Sequence, residues 1–240
     1  MPLSLKVSHN LQCEPLLLQP SLVLTSCVVP YLILSTVANV VIHISMPFPT
    51  DATWPPGLLT IFEICRRELQ PLENRYYGPY NKLLTYCFGP DSFEYFVAPQ
   101  NPPSASSPRD TIDFVVFLVV FDAHRRPVLI AEIKDDSWVD RADLRFNADD
   151  QMRQRYEAML ADCPIPRLWG LSLLGTSLRV YSGDVHSGAL QPEFEDRPSH
   201  SHTLPRDFLA GSWSIDILSQ EGFAKIQEIV GDILASVAAL

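Results

Sequence analysis

The sequence is poor in basic residues and in patterned cysteines. Its 18 Lys and Arg residues stand against 28 Asp and Glu residues, a formal net charge of -10 at pH 7, which argues against a protein that coats nucleic acid by bulk electrostatics. The five cysteines are widely spaced and form no Cys-x-x-Cys pair, so neither a disulfide framework nor a zinc site is indicated. We therefore expect reduced thiols and an intracellular location, in the nucleus or cytoplasm.

Several catalytic signatures are also missing from the sequence. It contains no Gly-rich phosphate loop, no Gly-x-Ser-x-Gly elbow and no His-Glu-x-x-His pair. These absences argue against a P-loop nucleotide hydrolase, a serine esterase of the usual type and a zinc protease.

Charged residues are absent between Glu14 and Asp51, and residues 22–46 are mostly Leu, Val and Ile. About 20 apolar residues are enough to cross a bilayer, so a membrane anchor at 22–46 is one interpretation. Pro30 interrupts the run and no basic cluster flanks it. A buried N-terminal arm is an alternative, and so is an extension outside the working protein, with Met46 as the start. We divide the chain into an apolar segment over 1–50 and a domain over 51–240.

The domain over 51–240 has alternating helical and strand patterns. Hydrophobic periodicity and turn residues predict helices over 58–72, 80–88, 147–162 and 220–238, strands over 92–98, 111–121, 128–134, 168–174 and 178–181, and loops over 99–108 and 186–205. In the third helix the pattern assigns Met152 and Tyr156 to the apolar stripe and Asp149 to the other side. We expect an α/β fold with a mixed central sheet flanked by helices.

Three charged residues interrupt the hairpin of the two most apolar strands. Asp113 lies near the start of the first strand, and Glu132 and Lys134 lie near the end of the second. Because side chains alternate along a strand, Glu132 and Lys134 project from one face. A turn centred near Ala123 and His124 sets Asp113 opposite Lys134, and a turn two residues later separates them. The sequence leaves the register open.

Asp113 followed by Glu132-Ile133-Lys134, on a helix, three strands, helix, strand pattern, resembles the PD-(D/E)XK nuclease superfamily. The resemblance covers about 58–181, and the stretch 113–156 is also similar to uncharacterised fungal proteins. It implies a restriction-endonuclease-like core with helices flanking a mixed sheet. Family members commonly carry proline before the aspartate, where this chain has Ile112.

The resemblance implies a magnesium-dependent or manganese-dependent nuclease that cleaves DNA or RNA. Its metal ligands are Asp113, Glu132 and the backbone carbonyl of Ile133, since hard oxygen ligands suit Mg²⁺, and Glu63 or Glu68 of the first helix is a further candidate. Lys134 completes the catalytic set with Asp113 and Glu132. The Gln-xxx-Tyr motif of some members adds Gln151, although Tyr156 lies one residue too far along to complete that motif.

Basic residues of the domain are candidates for binding the phosphate backbone: Arg75, Lys82, Arg141, Arg145, Arg153 and Arg155. The acidic residues that follow the hairpin, Asp135 and Asp136 among them, are expected to form a solvated loop. Three alternatives stay open. Glu132 and Lys134 could be a solvated pair at a strand end, the domain could be a catalytically inactive nuclease fold that binds a macromolecular partner, or it could be a scaffold of unrelated mixed fold.

Overall fold

The computed structural model describes residues 48–67, 73–89, 94–101, 112–119, 125–199 and 203–240. For residues 73, 100, 101, 112–119 and 125 only the backbone is described. The chain divides into two units, Met1–Ile42 and His43–Leu240. The proposed anchor over 22–46 lies outside the described residues. Within the described part, no helix combines the length and apolar character needed to span a membrane.

Four α-helices are described. They are α1 (Pro56–Arg66), α2 (Tyr77–Phe88), α3 (Ala142–Met159) and α4 (Gln220–Val237). Pro56 is the first residue of α1, where its missing N–H costs nothing. The Ser219 side chain accepts a hydrogen bond from the Gly222 amide and caps α4. The helix predicted over 147–162 begins five residues earlier, at Ala142, and the predicted 68–72 lies outside the described residues.

Seven strands in the described part of the chain form one mixed sheet. They are β1 (Tyr95–Asn101), β2 (Ile112–Val119), β3 (Arg125–Lys134), β4 (Arg167–Leu174), β5 (Ser177–Asp184), β6 (Leu190–Gln191) and β7 (Ile215–Asp216). The first three pair as an antiparallel meander, β4 runs parallel to β3, and β5 returns antiparallel beside β4. The helix α3 makes the crossover between the parallel strands, as such a pair requires. The expected α/β fold with a mixed sheet and flanking helices is therefore present.

The start of the structured domain lies earlier than residue 51. Phe48 is completely buried, stacks on Trp54 with ring centroids 5.5 Å apart and meets Phe223 of α4 edge to face at 5.4 Å. Aromatic contacts of this kind stabilise a core beyond the area they bury. The first three residues of the predicted loop over 99–108 also differ from expectation, because they continue β1.

The register of β2 and β3 differs from both sequence alternatives. Phe114 pairs with Ala131 and Val115 with Ile130, and a bulge shifts the pairing between Val116 and Phe117. This register, continued by one residue beyond Phe114 and Ala131, brings the backbone of Asp113 level with Glu132 instead of Lys134. A bulge adds one residue to one strand, and the alternation of apolar residues in a sequence does not reveal where this occurs.

The two faces of the sheet are covered differently. On one face Ala131, Ile133, Leu171 and Leu173 are buried in the main core, to which Phe223 of α4 also belongs. The opposite face carries the alternate residues and lies under α3. There, a side chain added at Gly170 would contact the Tyr156 hydroxyl at 2.6 Å, so the helix approaches the sheet closely.

The outer edge of β5 is covered in two places by short strands. Gln191 of β6 pairs with Ser182, and Ile215 of β7 pairs with Leu178. Among the described residues no strand pairs on this side with the three residues between them, Arg179 to Tyr181. A cavity of about 500 Å³ opens there, bordered by Pro192 and Ser214.

Candidate active site

Glu132 and Lys134 lie near the end of β3, on the face that α3 covers. Glu132 is 3% exposed, and its Oε2 lies 3.8 Å from Lys134 Nζ. The Lys134 side chain is 12% exposed. The two side chains are therefore a largely buried ion pair, and the alternative of a solvated pair at a strand end does not fit their burial.

Asp113 lies in β2, one residue beyond the pair formed by Phe114 and Ala131. This register brings its backbone level with Glu132, on the strand next to β3. Its side chain is outside the described part of the structure. The structure thus brings the three predicted positions to the same end of neighbouring strands, without describing where the aspartate carboxylate lies.

Arg155 of α3 makes the shortest described contact with Glu132. Its Nε donates a hydrogen bond to Glu132 Oε1 at 2.6 Å, and the two side chains are 6% and 4% exposed. A charge-assisted bond between nearly buried groups is strong, because little water competes with it. Arg155 was expected to bind phosphate from the surface. That expectation is corrected, since its Nε holds a carboxylate inside the protein.

Two further oxygen atoms were predicted to take part in the site. Gln151 lies one helical turn before Arg155, and its Oε1 is buried without a hydrogen-bond partner among the described residues. A buried acceptor of this kind is uncommon and asks for an explanation. Ile133, whose backbone carbonyl was the other candidate, is completely buried between Glu132 and Lys134.

The end of β3 is held by contacts on both sides of Lys134. The Gly175 amide donates to the Lys134 carbonyl at 2.8 Å, and the Lys134 Nζ lies 5.6 Å from the centre of the Trp138 ring. Gly175 has a φ of 60°, which glycine adopts without strain. The hydrogen bond fixes the backbone at Lys134, and the aromatic contact places its ammonium near Trp138.

The acidic residues after β3 are paired with a buried arginine. Arg75 Nη2 lies 3.0 Å from Asp135 Oδ2 and 2.7 Å from Asp136 Oδ2, and Tyr76 donates to Asp136 at 2.7 Å. The Arg75 and Asp135 side chains are each 8% exposed. The expectation of a solvated loop is therefore wrong for Asp135, which anchors the chain leaving β3. The expectation that Arg75 binds phosphate is also corrected, because its guanidinium is buried against these carboxylates.

A second buried charged group lies on the same face of the sheet, and sequence reasoning missed it. Asp149 of α3 is 1% exposed and accepts from Arg153 at 2.8 Å and from the Tyr181 hydroxyl at 2.7 Å, and Arg179 Nη1 lies 3.1 Å away. Burial raises the pKa of Tyr181 well above its ordinary value, so the hydroxyl remains a donor. Asp149 was assigned to the polar side of its helix, and that assignment is wrong.

This second group, Asp149 with Arg153, Arg179 and Tyr181, is connected to Glu132 through the sheet. Ser172 pairs with Glu132 on one side and with Arg179 on the other. The Ser172 hydroxyl accepts a hydrogen bond from Trp213 at 3.1 Å, and Trp213 packs against the Arg179 guanidinium at 5.0 Å. The signal that could have found it is the spacing of Asp149, Met152 and Tyr156, three residues at helical intervals on one face.

The predicted phosphate contacts are not gathered into one surface. Lys82 and Arg141 are exposed, and Arg141 pairs with Asp143 at 2.7 Å. Arg145 is 3% exposed and donates to the carbonyls of Val139, Arg206 and Phe208. It holds a loop against α3 and is not a surface contact.

Arg153, the remaining phosphate candidate, lies at the border of the second charged group. It binds Asp149 and donates to the carbonyl oxygen of Pro192 at 2.9 Å, so its described contacts are internal. Of the two acidic candidates on the first helix, Glu63 is exposed and pairs with Arg67. Glu68 lies outside the described residues.

The described side chains do not by themselves complete a metal site. No group of three or more His, Cys, Asp or Glu side chains that could hold an ion occurs among them. Glu132 and Gln151 supply oxygen atoms of the type that Mg²⁺ prefers. A full set of ligands at this position needs the Asp113 carboxylate as well.

Comparison with known proteins gives no relative from which a role could be transferred. Neither the protein-family models nor the curated proteins nor the solved structures contain a match to this chain.

Proposed function

We propose that the chain is a divalent-cation-dependent nuclease with a restriction-endonuclease-like core, which hydrolyses phosphodiester bonds of DNA or RNA. The observation that carries the proposal is the buried pair of Glu132 and Lys134 near the end of β3, with Asp113 level with Glu132 in the neighbouring strand. The antiparallel meander followed by a helix and a parallel strand supports the fold part of the proposal.

Burial of these charges supports a functional role. Removing an ionised group from water costs several kcal/mol, and an apolar pair of similar size would often be as stable or more stable. Charged groups kept in such a place are therefore candidates for a functional site. The same sheet face is apolar at Ile130 and Leu174, which flank the pair and are at most 1% exposed.

The donor set fits a hard divalent cation. The Glu132 carboxylate has two oxygens, and Gln151 Oε1 is an acceptor that receives no hydrogen bond from the described part of the chain. Asp113, Glu132 and the Ile133 carbonyl would hold Mg²⁺ or Mn²⁺, and Gln151, one helical turn before Arg155, is a further catalytic candidate. When bound, the ion would polarise the scissile phosphate and lower the pKa of the attacking water.

Lys134 has a separate task in this proposal. Its ammonium is a point charge held near Glu132 and Trp138. It orients the attacking water and stabilises the negative charge that develops on the phosphate in the transition state, which is often the largest contribution to catalysis.

Cleavage assays with the full chain test the proposal. We expect nicking of plasmid or degradation of single-stranded DNA or RNA with Mg²⁺ or Mn²⁺, and a loss of about 100-fold or more in rate for Glu132→Gln and for Lys134→Met. Lys225→Met, a lysine of α4 that pairs with Glu228 at the surface, is the matched control and should keep the wild-type rate. A folded Lys134→Met protein with full activity would contradict the proposal.

A second candidate is a catalytically inactive nuclease fold that binds a macromolecular partner. It is favoured by Arg155, whose Nε occupies Glu132 Oε1 at 2.6 Å, and by the net charge of -10, which opposes binding to polyanions. This candidate expects no cleavage of any of the three substrates by folded protein at millimolar Mn²⁺.

A further inference from the structure

Arg155 contacts the central carboxylate more closely than the lysine of the motif does. Its Nε lies 2.6 Å from Glu132 Oε1, whereas Lys134 Nζ lies 3.8 Å from Oε2. The cation nearest to Glu132 among the described residues therefore comes from α3 and not from β3.

We propose that Arg155 is a positioning residue that competes with the divalent cation for the Glu132 carboxylate and lowers the affinity of the site for that ion. This inference rests on the proposed function. It adds that the affinity for metal is set by a residue of α3 that supplies no ligand.

The competition follows from charge and burial. A guanidinium cannot be deprotonated at ordinary pH, so its charge is permanent. Both side chains are at most 6% exposed, and water and salt screen buried charges far less than exposed ones. An ion that binds Glu132 must approach this fixed positive charge and share the carboxylate with it.

The same contact has a benefit when no ion is bound. Glu132 without a partner would be a buried, uncompensated carboxylate, which costs about 3–5 kcal/mol in comparable proteins. Arg155, together with the more distant Lys134, supplies the compensating positive charge, so the carboxylate is paired when no ion is bound.

The test is the affinity of the full chain for Mn²⁺, measured by calorimetry in wild type and in Arg155→Gln. We expect about tenfold tighter binding in Arg155→Gln, because the carboxylate keeps its charge and loses its competitor. Arg179→Gln is the control matched for burial. Its guanidinium is also paired with a buried carboxylate, with side chains 8% and 1% exposed, but that carboxylate is Asp149.

The outcomes separate this inference from the proposed function. Tighter binding in Arg155→Gln than in Arg179→Gln supports it, including the case in which wild type binds too weakly to detect. Binding no tighter than that of Arg179→Gln, with wild type binding Mn²⁺, overturns the role of Arg155 and leaves the nuclease proposal intact. Absence of binding in wild type and in Arg155→Gln overturns both.

If Arg155→Gln does not fold, a measurement on the wild-type protein tests whether Arg155 and the divalent cation share Glu132. The Arg155 Nε–H proton gives its own NMR signal and reports the bond to Glu132 Oε1. We expect that signal to shift as Mg²⁺ saturates the site, with the Arg179 signal moving much less. An Arg155 signal that stays in place at saturating Mg²⁺ overturns the inference.

Discussion

At the scale of single residues, Gly170 is where α3 and the sheet come closest. A Cβ at this position would lie 2.6 Å from the Tyr156 hydroxyl oxygen and 3.1 Å from Met152 Sδ. Tyr156 cannot easily move aside, because it is 2% exposed and its hydroxyl donates to the Leu168 carbonyl at 3.0 Å. The absence of a side chain at Gly170 therefore lets the helix that carries Arg155 lie against β4.

Gly170→Ala should destabilise the protein by about 1–3 kcal/mol, the usual cost of forcing extra volume into a packed core. The measurement is the free energy of unfolding in denaturant. Gly231→Ala is the control, because nothing lies within 4 Å of its added Cβ and it sits inside α4. That change should stabilise by about 0.5–1 kcal/mol, and equal effects of the two changes would contradict the packing at Gly170.

Residue patterns predicted part of the candidate site. The alternation rule placed Glu132 and Lys134 on one face, and the structure confirms it. The pairing of Arg155 with Glu132 was not predictable, since periodicity identifies the apolar stripe of a helix but cannot say which charged residues are buried beside it. A charged residue on the buried side of α3 needs a partner of opposite charge. For Arg155 that partner is Glu132 of β3, 23 residues away in the sequence.

At the scale of elements, a buried ion pair joins the turn before α2 to the turn after β3. Arg75 lies between Asp135 and Asp136, at 3.0 Å and 2.7 Å. This contact holds the chain that leaves Lys134, so it supports the candidate site without taking part in its chemistry.

Arg75→Gln should reduce the free energy of unfolding by about 3 kcal/mol, because it leaves Asp135 buried without its ion-pair partner. Arg67→Gln is the exposed counterpart, with side chains of Arg67 and Glu63 that are 75% and 61% exposed, and should cost less than about 1 kcal/mol. Urea unfolding of the two variants checks this. A cost for Arg75→Gln as small as that for Arg67→Gln would show the ion pair to be unimportant.

The start of α4 depends on one side chain. The Ser219 hydroxyl accepts from the Gly222 amide at 3.0 Å. We expect Ser219→Ala to lower the unfolding free energy by about 1 kcal/mol, the typical value of such a cap. Ser219→Asp should restore most of the lost stability, since the aspartate carboxylate accepts the same hydrogen bond. Thermal melting of the two variants checks this, because a loss of packing would not be restored by aspartate.

The helices, strands and turns were predicted better than the register between neighbouring strands. The turn at Gly175 and Thr176 and the closing helix were predicted from turn residues and periodicity, and the structure has both. The register of β2 and β3 was not, because a turn centred near Ala123 and His124 requires Val119 to pair with Val128, whereas Val119 pairs with Arg125, and a bulge then shifts the pairing by one residue between Val116 and Phe117. One such residue decides which side chain stands level with Asp113.

At the scale of the whole molecule, the core contains many groups that must stay protonated. Burial raises the pKa of Cys163 to about 11 and, together with the charge of Glu94, that of Tyr95 to about 12. Burial also raises the pKa of Tyr80, Tyr156 and Cys87 well above their ordinary values. In the unfolded chain these groups lose their protons at lower pH than in the folded protein.

Stability should therefore fall at alkaline pH. For Cys163 and Tyr95 the unfolded chain binds fewer protons between pH 9 and 12, so the unfolding free energy decreases with rising pH. We expect these two groups alone to lower it by roughly 2–4 kcal/mol between pH 8 and pH 11, measured by denaturant titration at each pH. Tyr95→Phe should make the decline shallower, and a flat profile up to pH 11 would contradict the burial of these groups.

The two short strands β6 and β7, which cover the two ends of the outer edge of β5, have a consequence for association between molecules. With β6 and β7 at its two ends, the uncovered stretch of this edge is three residues long, Arg179 to Tyr181, in the part of the chain described. Strands in globular proteins are most often about five or six residues long, and short edges are a common protection against unwanted strand pairing. This side of the sheet is a poor template for aggregation, so the protein should resist fibril growth from it even when crowded.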